Sequence, residues 1–318
     1  MNFAGQGNPK GVTTLLLVLV SVGVTCGLQL SFQLLGPFGV LLNPFLAFPV
    51  AYVCMRAGIT PALLALLLVV TVVGQQAGMV PVLSYLLQFG GASLLLPVLL
   101  RQGVGWFRAG MVCLVLTVVT LAVAAGGYSL KQHTTITSMV DSYIDTEVGK
   151  AKLAYEQTDL PTTQVRELLT VLDSTALFFK QAYVGLASVA VGVVLAATVV
   201  LLSWSARGRY VIPGVVFHQL RLPDLLIWFL IVAGFSLLFN IAIVRQVSLN
   251  ILTLLLPLYF LQGVAILSFF LRKKGFSTVS HVFVYVLVLV INPLPVVVTA
   301  IGVFDMWFDF RKPRVKTT

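Results

Sequence analysis

The side chains that could do chemistry are few and far apart. Catalysis by acid, base or nucleophile needs a carboxylate, imidazole or thiolate held beside a partner. Here His133, His218, His281, Cys26, Cys54 and Cys113 stand at unrelated spacings. None of the histidines has a Cys, His or Asp at the helical spacing that holds a metal, so no metal or other cofactor is expected. The cysteines lie in or beside apolar runs and read as small buried residues rather than a disulfide. No HExxH, GxSxG, GxxxxGK[ST] or CxxC motif occurs. No Asp, Glu, Lys or Arg falls midway along an apolar run, which argues against a proton-driven antiporter and an intramembrane protease. Neither a charged ring nor a repeated carbonyl filter suggests a channel. The expectation is a protein without catalytic apparatus.

Neutral amides are what remain. Gln29, Gln33, Asn43, Gln75, Gln76 and Gln88 lie in or beside the first four apolar runs. An amide facing lipid is costly unless it finds a partner, so these six are expected to point inward. There they either join helices by hydrogen bonds or line an outward-opening pocket for a small polar molecule. Gly23 and Gly27 form a GxxxG pair, and Ser188, Gly192 and Ala196 repeat that spacing. Such faces either pack inside a bundle or dock a partner.

The elements that must position these residues follow from hydropathy. The chain has 318 residues, 59% hydrophobic and 9% charged, far below the roughly 25% charged residues of soluble domains. Charge-free runs cover Gly11–Met55, Ala57–Leu100, Ala109–Leu130, Gln181–Ala206, Leu225–Val244, Gln246–Leu271 and Gly275–Phe304. A span needs about 20 apolar residues, so each of the first two holds two. Period-2 alternation is missing, which excludes a transmembrane β-barrel. The fold class is an all-α, polytopic transmembrane helix bundle of about eight or nine spans. They are placed at 12–35, 37–55, 60–76, 79–100, 107–127, 178–205, 223–244, 248–271 and 278–304. The start after Lys10 is read as a mature span, since the small residues of a signal-peptidase site are lacking.

Charge sets the orientation. Lys10, Arg56, Arg101 with Arg108, then Arg207, Arg209 and Arg221, then Arg272, Lys273 and Lys274 occupy every second connection. Positive residues stay inside, which places the N-terminus in the cytoplasm of a multi-pass protein of the bacterial inner membrane. The net charge of +10 is therefore assigned to topology and the lipid bilayer, with no nucleic-acid partner. Seven of the ten acids, Asp141, Asp145, Glu147, Glu156, Asp159, Glu167 and Asp173, fall in the loop between spans five and six. Apolar residues recur there at helical spacing, first from Ile136 to Val148 and again from Val165 to Leu172. Asp159 or Thr162 would cap the second helix. An extracytoplasmic amphipathic hairpin results, serving as a lid or spacer or as a substrate gate. Three regions follow: 1–127 with spans one to five, 128–177 with the hairpin, and 178–318 with the later spans. Nine crossings would put the basic tail of Arg311, Lys312, Arg314 and Lys316 outside. Asn292-Pro293-Leu294-Pro295 interrupts the last run, so a re-entrant pair of half-helices and a cytoplasmic tail are expected.

Two resemblances rest on particular residues. The C-terminal third, through Arg221-Leu222-Pro223-Asp224, Ile227-Trp228, Asn250, Tyr259-Phe260-Leu261-Gln262-Gly263 and Gly302-Val303-Phe304-Asp305-Met306-Trp307-Phe308-Asp309-Phe310-Arg311-Lys312, resembles the YybS-like bacterial membrane proteins. That likeness marks Pro223, Asp224, Trp228, Asn250, Gln262, Gly263, Asp305, Trp307, Asp309 and Arg311 as family positions and implies no catalytic residue. The first six spans, through Gly36-Pro37-Phe38-Gly39, Ala57-Gly58-Ile59-Thr60 and the small residues of span one, are distantly similar to the S components of energy-coupling-factor vitamin transporters. The extra C-terminal spans and the outer hairpin depart from that pattern. This second likeness implies binding of a small solute from outside, with Gly23 and Gly27 toward a coupling subunit that works with ATPases. The other class considered is a membrane scaffold or assembly factor using the hairpin, Asp224 and Asp305 to hold envelope proteins. Asp305 and Asp309 beside Arg311 and Lys312 read first as an interfacial ion-pair cluster.

Overall fold

Glycine and proline punctuate this chain, and helices fill the intervals. The computed structural model describes residues 11–156, 161–206 and 208–311; Lys10, Asp159, Arg207, Lys312, Arg314 and Lys316 lie outside them. The helices are α1 (Gly11–Leu35), α2 (Phe48–Ala57), α3 (Ile59–Ala77), α4 (Met79–Gly90), α5 (Leu96–Arg101), α6 (Trp106–Lys131), α7 (Ile136–Glu156), α8 (Thr162–Ala206), α9 (Leu225–Ser236), α10 (Ala242–Lys273), α11 (Thr278–Val290) and α12 (Leu294–Phe308). No strand occurs among the described residues. This is the polytopic all-α fold expected. Among the described residues, six helices are long and apolar enough to cross a membrane, 11–31, 59–77, 79–101, 106–131, 163–206 and 242–273, and the bent pair 278–290 with 294–308 passes together.

The helices form two compact units that interleave along the chain: Met1–His133 with Ala190–Gly214, and Thr134–Val189 with Val215–Thr318. α8 gives its first part to the second of these units and its last part to the first. In the first unit, α1, α2 and α3 pack around Val18, Val50, Val53, Cys54, Ala62 and Ala65, all buried. Gly58 (φ 102°) and Gly78 (φ 83°) turn the chain between α2, α3 and α4, a backbone region closed to most L-residues. Between α4 and α5 lies a π-turn over Gly91–Leu95. Thr117 Oγ1 of α6 sits so near Gly91 that a Cβ there would lie 2.6 Å away, so only glycine fits.

Two expected spans are not single helices. Residues 37–55 form a 3-10 stretch, Gly36–Phe45, and then the ten-residue α2; Pro37, Pro44 and Pro49 account for the break. Residues 223–244 supply only the twelve-residue α9, and Ala242 onward belongs to α10. Ahead of α9 the chain is irregular, apart from a 3-10 turn at Phe217–Gln219.

In the second unit, α7 starts on a reciprocal cap: Ser138 N donates to Thr135 Oγ1 (3.1 Å) and Thr135 N to Ser138 Oγ (3.2 Å). It runs antiparallel to the first part of α8, joined by Lys180–Asp145 (2.6 Å) and Lys152–Asp173 (2.7 Å). The second arm expected of the hairpin is not separate from span six, because α8 is one helix of 45 residues. α11 and α12 meet at a bend of 106°, where the Asn292–Pro293 peptide is cis. His218 stacks on Phe269 in the closing turns of α10, and Arg311 beyond α12 donates to the His218 carbonyl (3.3 Å). α12 therefore ends near the end of α10 from which α11 departs. The pair thus starts and finishes at the same end of α10.

Candidate functional site

In the first unit, Ser21, Thr25 and Gln29 follow one another at steps of four along α1, which stacks them on one stripe. Ser21 and Thr25 are buried, and Thr25 Oγ1 donates to the Ser21 carbonyl at 2.9 Å. Gln29 Oε1 and Ser21 Oγ are shut off from solvent without a hydrogen-bond partner. Tyr85 (2% exposed) and Ser93 (0%) are buried too, and their hydroxyls face each other without completing a well-formed hydrogen bond. Ser93 and Cys26 are the polar neighbours of Tyr85. Cys26 is one turn from Gln29 on α1, while the π-turn carries Ser93 inward. An unsatisfied buried hydroxyl costs about 1–3 kcal/mol, and π-turns recur at functional sites. The groups offered are a phenol, an alcohol and an amide, which suit neutral hydrogen-bonding partners rather than proton transfer.

The other expected amides sit differently. Gln75, Gln76 and Gln88 are exposed, not inward, since they fall on the outer faces of α3 and α4. Asn43 is half-buried in the 3-10 stretch, where its carbonyl accepts from Leu46 N (3.1 Å). The Gln33 side chain lies outside the described ones. Gly23 and Gly27 are exposed with open space where a Cβ would stand, so their face packs against nothing within the described residues. Composition alone hid Tyr85 and Ser93; the small-residue run Gly90-Gly91-Ala92-Ser93 beside a tyrosine was the available signal.

The second unit brings Gln262, Gly263, Asp305 and Arg311 together in one polar lock. Gln262 Oε1 accepts from Leu222 N (2.8 Å), and its Nε2 donates to the Gly302 carbonyl (3.1 Å) and Asp305 Oδ2 (3.3 Å). Asp305 is fully buried. Its Oδ2 also pairs with Arg311 (2.5 Å), and its Oδ1 accepts from Phe310 N (3.1 Å). Arg311 then donates to the carbonyls of His218 and Leu220 (2.9 Å for Leu220). Thus side chains of α10 and of the turn after α12 satisfy the backbone of the irregular stretch before α9. Non-helical backbone at membrane depth is tolerated only on such terms. The Asp305–Arg311 pair is buried at the centre of this lock, which corrects its reading as a merely interfacial cluster. Asp309, in a left-handed turn (φ 40°), faces Arg221 at 3.6 Å.

Gly263 and Gly302 make the lock possible. A Cβ on Gly263 would collide with the Val298 carbonyl, and one on Gly302 with that of Tyr259. Asn250 makes a second joint: its Oδ1 accepts from Gly185 N (2.7 Å) while its Nδ2 donates to the carbonyls of Gln181 and Gln246 (both 2.7 Å). It bridges the N–H and C=O that a regular α8 would join to each other. Pro223, Asp224, Trp228 and Trp307 are exposed; Trp307 packs on Phe304 with ring centroids 6.1 Å apart.

Residues 23–306 match the model of a family described as "Predicted membrane protein (DUF2232)". The matched stretch holds Gln29, Tyr85, Ser93, Asn250, Gln262 and Asp305, and stops short of Arg311. No curated protein and no solved structure matches the chain.

Proposed function

The chain belongs to the DUF2232 family of predicted membrane proteins, and on that footing we propose that it is a non-enzymatic, multi-pass protein of the bacterial inner membrane that binds a small, neutral, hydrogen-bonding solute in its first unit. The observation that carries this reading is the set of buried, unpartnered polar atoms, Gln29 Oε1, Tyr85 OH, Ser93 Oγ and Ser21 Oγ. Their pairing with a ligand would return what their burial costs. Uptake in the manner of an S component would add a coupling subunit with ATPases, and the open Gly23–Gly27 face of α1 is where such a helix would fit. The positive-inside argument puts the N-terminus and the basic tail in the cytoplasm. Eight crossings, two of them broken, and a re-entrant α11–α12 pair accommodate both ends there.

The test is thermal melting of the purified chain against a panel of neutral polar metabolites. Tyr85→Phe and Ser93→Ala remove unsatisfied hydroxyls, so each should raise the melting temperature of the ligand-free protein. Each should also abolish the solute-induced rise seen in the unaltered chain. A rise that survives both substitutions, or a panel without effect on the unaltered chain, would sink the reading.

The length of α8 favours a second reading, a docking platform for envelope proteins. At about 1.5 Å per residue, its 45 residues extend roughly 67 Å, against a hydrocarbon core of about 30 Å. The charged part, paired with α7, is the part suited to stand outside. Removing residues 146–179, symmetric about the Lys180–Asp145 and Lys152–Asp173 pairs, should leave insertion intact. Photo-crosslinks from Val171 to a single partner would support docking; uniform lipid adducts there would count against it.

A further inference from the structure

The first unit contains neither Asp nor Glu, whereas Arg56, Arg101, Arg108 and Arg209 all belong to it. Three of these surround the C-terminal end of α2. Arg101 donates to the carbonyls of Cys54 (2.8 Å) and Met55 (3.4 Å) in the last turn of α2, the Cys54 carbonyl also accepting from Gly58 N (3.1 Å). Arg56 stands in that same last turn, its Nε enclosed without an acceptor. Arg209 donates to the Tyr52 hydroxyl at 3.2 Å, and Arg56 and Arg209 both act electrostatically on Tyr210. Arg108 lies half a turn into α6, whose start is tied to this end by Trp106 N donating to the Pro213 carbonyl (2.9 Å).

The Tyr52 oxygen accepts from Arg209 and so leaves its own hydrogen to donate outward. Its ring is fixed edge-on against Tyr210, centroids 6.4 Å apart. Tyr210 is itself held by donating to the Leu202 carbonyl (2.8 Å) and by Ser205. Two guanidinium groups and a phenol, with no carboxylate in the unit to neutralise them, form a site of fixed positive charge. Guanidinium forks match phosphate oxygens in pairs of hydrogen bonds. The site lies at the ends of apolar helices, the depth of lipid headgroups, where basic pockets between helices take anionic lipids.

We infer that Arg56, Arg209 and Tyr52 bind the phosphodiester headgroup of an anionic phospholipid at the α2 end of the first unit. Orientation by positive charge alone needs no such convergence and would be served by any cation.

Native mass spectrometry of the full chain in neutral detergent tests this, with phosphatidylglycerol, phosphatidylcholine and inorganic phosphate as probes. Phosphatidylglycerol should be retained over phosphatidylcholine. Arg56→Gln with Arg209→Gln should lower that retention about tenfold, as expected when charge-assisted paired hydrogen bonds are lost. Arg272→Gln, which removes one charge from the other unit, should not. Arg56→Lys with Arg209→Lys keeps charge and topology and should still lose much of the preference, and Tyr52→Phe a smaller part. These variants carry the test should the double Gln protein not fold. Equal retention in the Lys variant and the unaltered chain, or an equal loss with Arg272→Gln, would reduce the cluster to an orientation signal and overturn the inference. Inorganic phosphate displacing the lipid at comparable concentration would assign the site to a soluble phosphate instead and overturn the lipid assignment.

Discussion

Asp305 and Arg311 differ from every other ion pair described in being buried: their side chains are 1% and 12% exposed, against 19–68% for the members of the other four pairs. Exposed pairs contribute about 0–1 kcal/mol. Removing one partner of a buried pair costs about 3–5 kcal/mol, because the other charge is stranded. Arg311→Gln should therefore destabilise the second unit by about that much, read as a fall in melting temperature or in detergent-extracted yield. Asp305→Asn should cost a similar amount, and the double variant clearly less than the sum. Gln262, Asp305 and Arg311 are singled out together at the sequence level only through the resemblance of the C-terminal third to other membrane proteins. Their joint task could not be read there, because the partners are backbone atoms of residues 218–222, and nothing in side-chain chemistry announces which carbonyls are left unpaired. The reverse held for Gln75, Gln76 and Gln88. An amide in an apolar run was expected to turn inward, yet at the ends of α3 and along the outer face of α4 the helical phase turns them out.

At the scale of elements, two glycines set how closely α10 and α12 approach. A methyl group on either would meet backbone carbonyls, which cannot rotate away as a side-chain tip can. Gly302→Ala and Gly263→Ala should each separate the two helices, lengthen the Gln262–Gly302 hydrogen bond and lower the melting temperature by more than the buried-pair substitutions do. Gly234→Ala, with nothing within 4 Å, is the matched control and should be neutral or slightly stabilising, as alanine favours the helix. Long apolar helices were the legible part of the chain: α1, α3, α6 and α10 lie close to where charge-free runs put them. The broken apolar stretches were less so. Hydropathy registers the apolar content of 37–55 and 223–244 but not whether the backbone is helical, and prolines permit a helix start as readily as a break.

For the molecule as a whole, the arrangement implies a topology that can be mapped. Single cysteines introduced into a Cys26, Cys54 and Cys113 serine background should divide into two classes by labelling with a membrane-impermeant maleimide. Positions 103, 209, 274 and 310 should be protected in intact cells, and position 150 labelled. Labelling at 310 would mean that α11 and α12 together complete a crossing, and the tail would then be outside. The orientation expected from charge is a sum over loops, and this labelling pattern is what tests it. The division into two units was not legible in the sequence, since it depends on which part of one long helix each neighbour grips.

The polar lock also has a consequence for how the protein is made. α9, at twelve residues, is too short to hold a place in the bilayer by itself, and the stretch before it brings unpaired backbone into the same depth. Its partners come later in the chain: Gln262 some forty residues on, Arg311 about ninety. The backbone ahead of α9 therefore gains its polar partners only after residues 262 and 311 have been made. A protein truncated before Arg311 would lose far more than its last few residues, because the turn after α12 satisfies backbone carbonyls some ninety residues earlier.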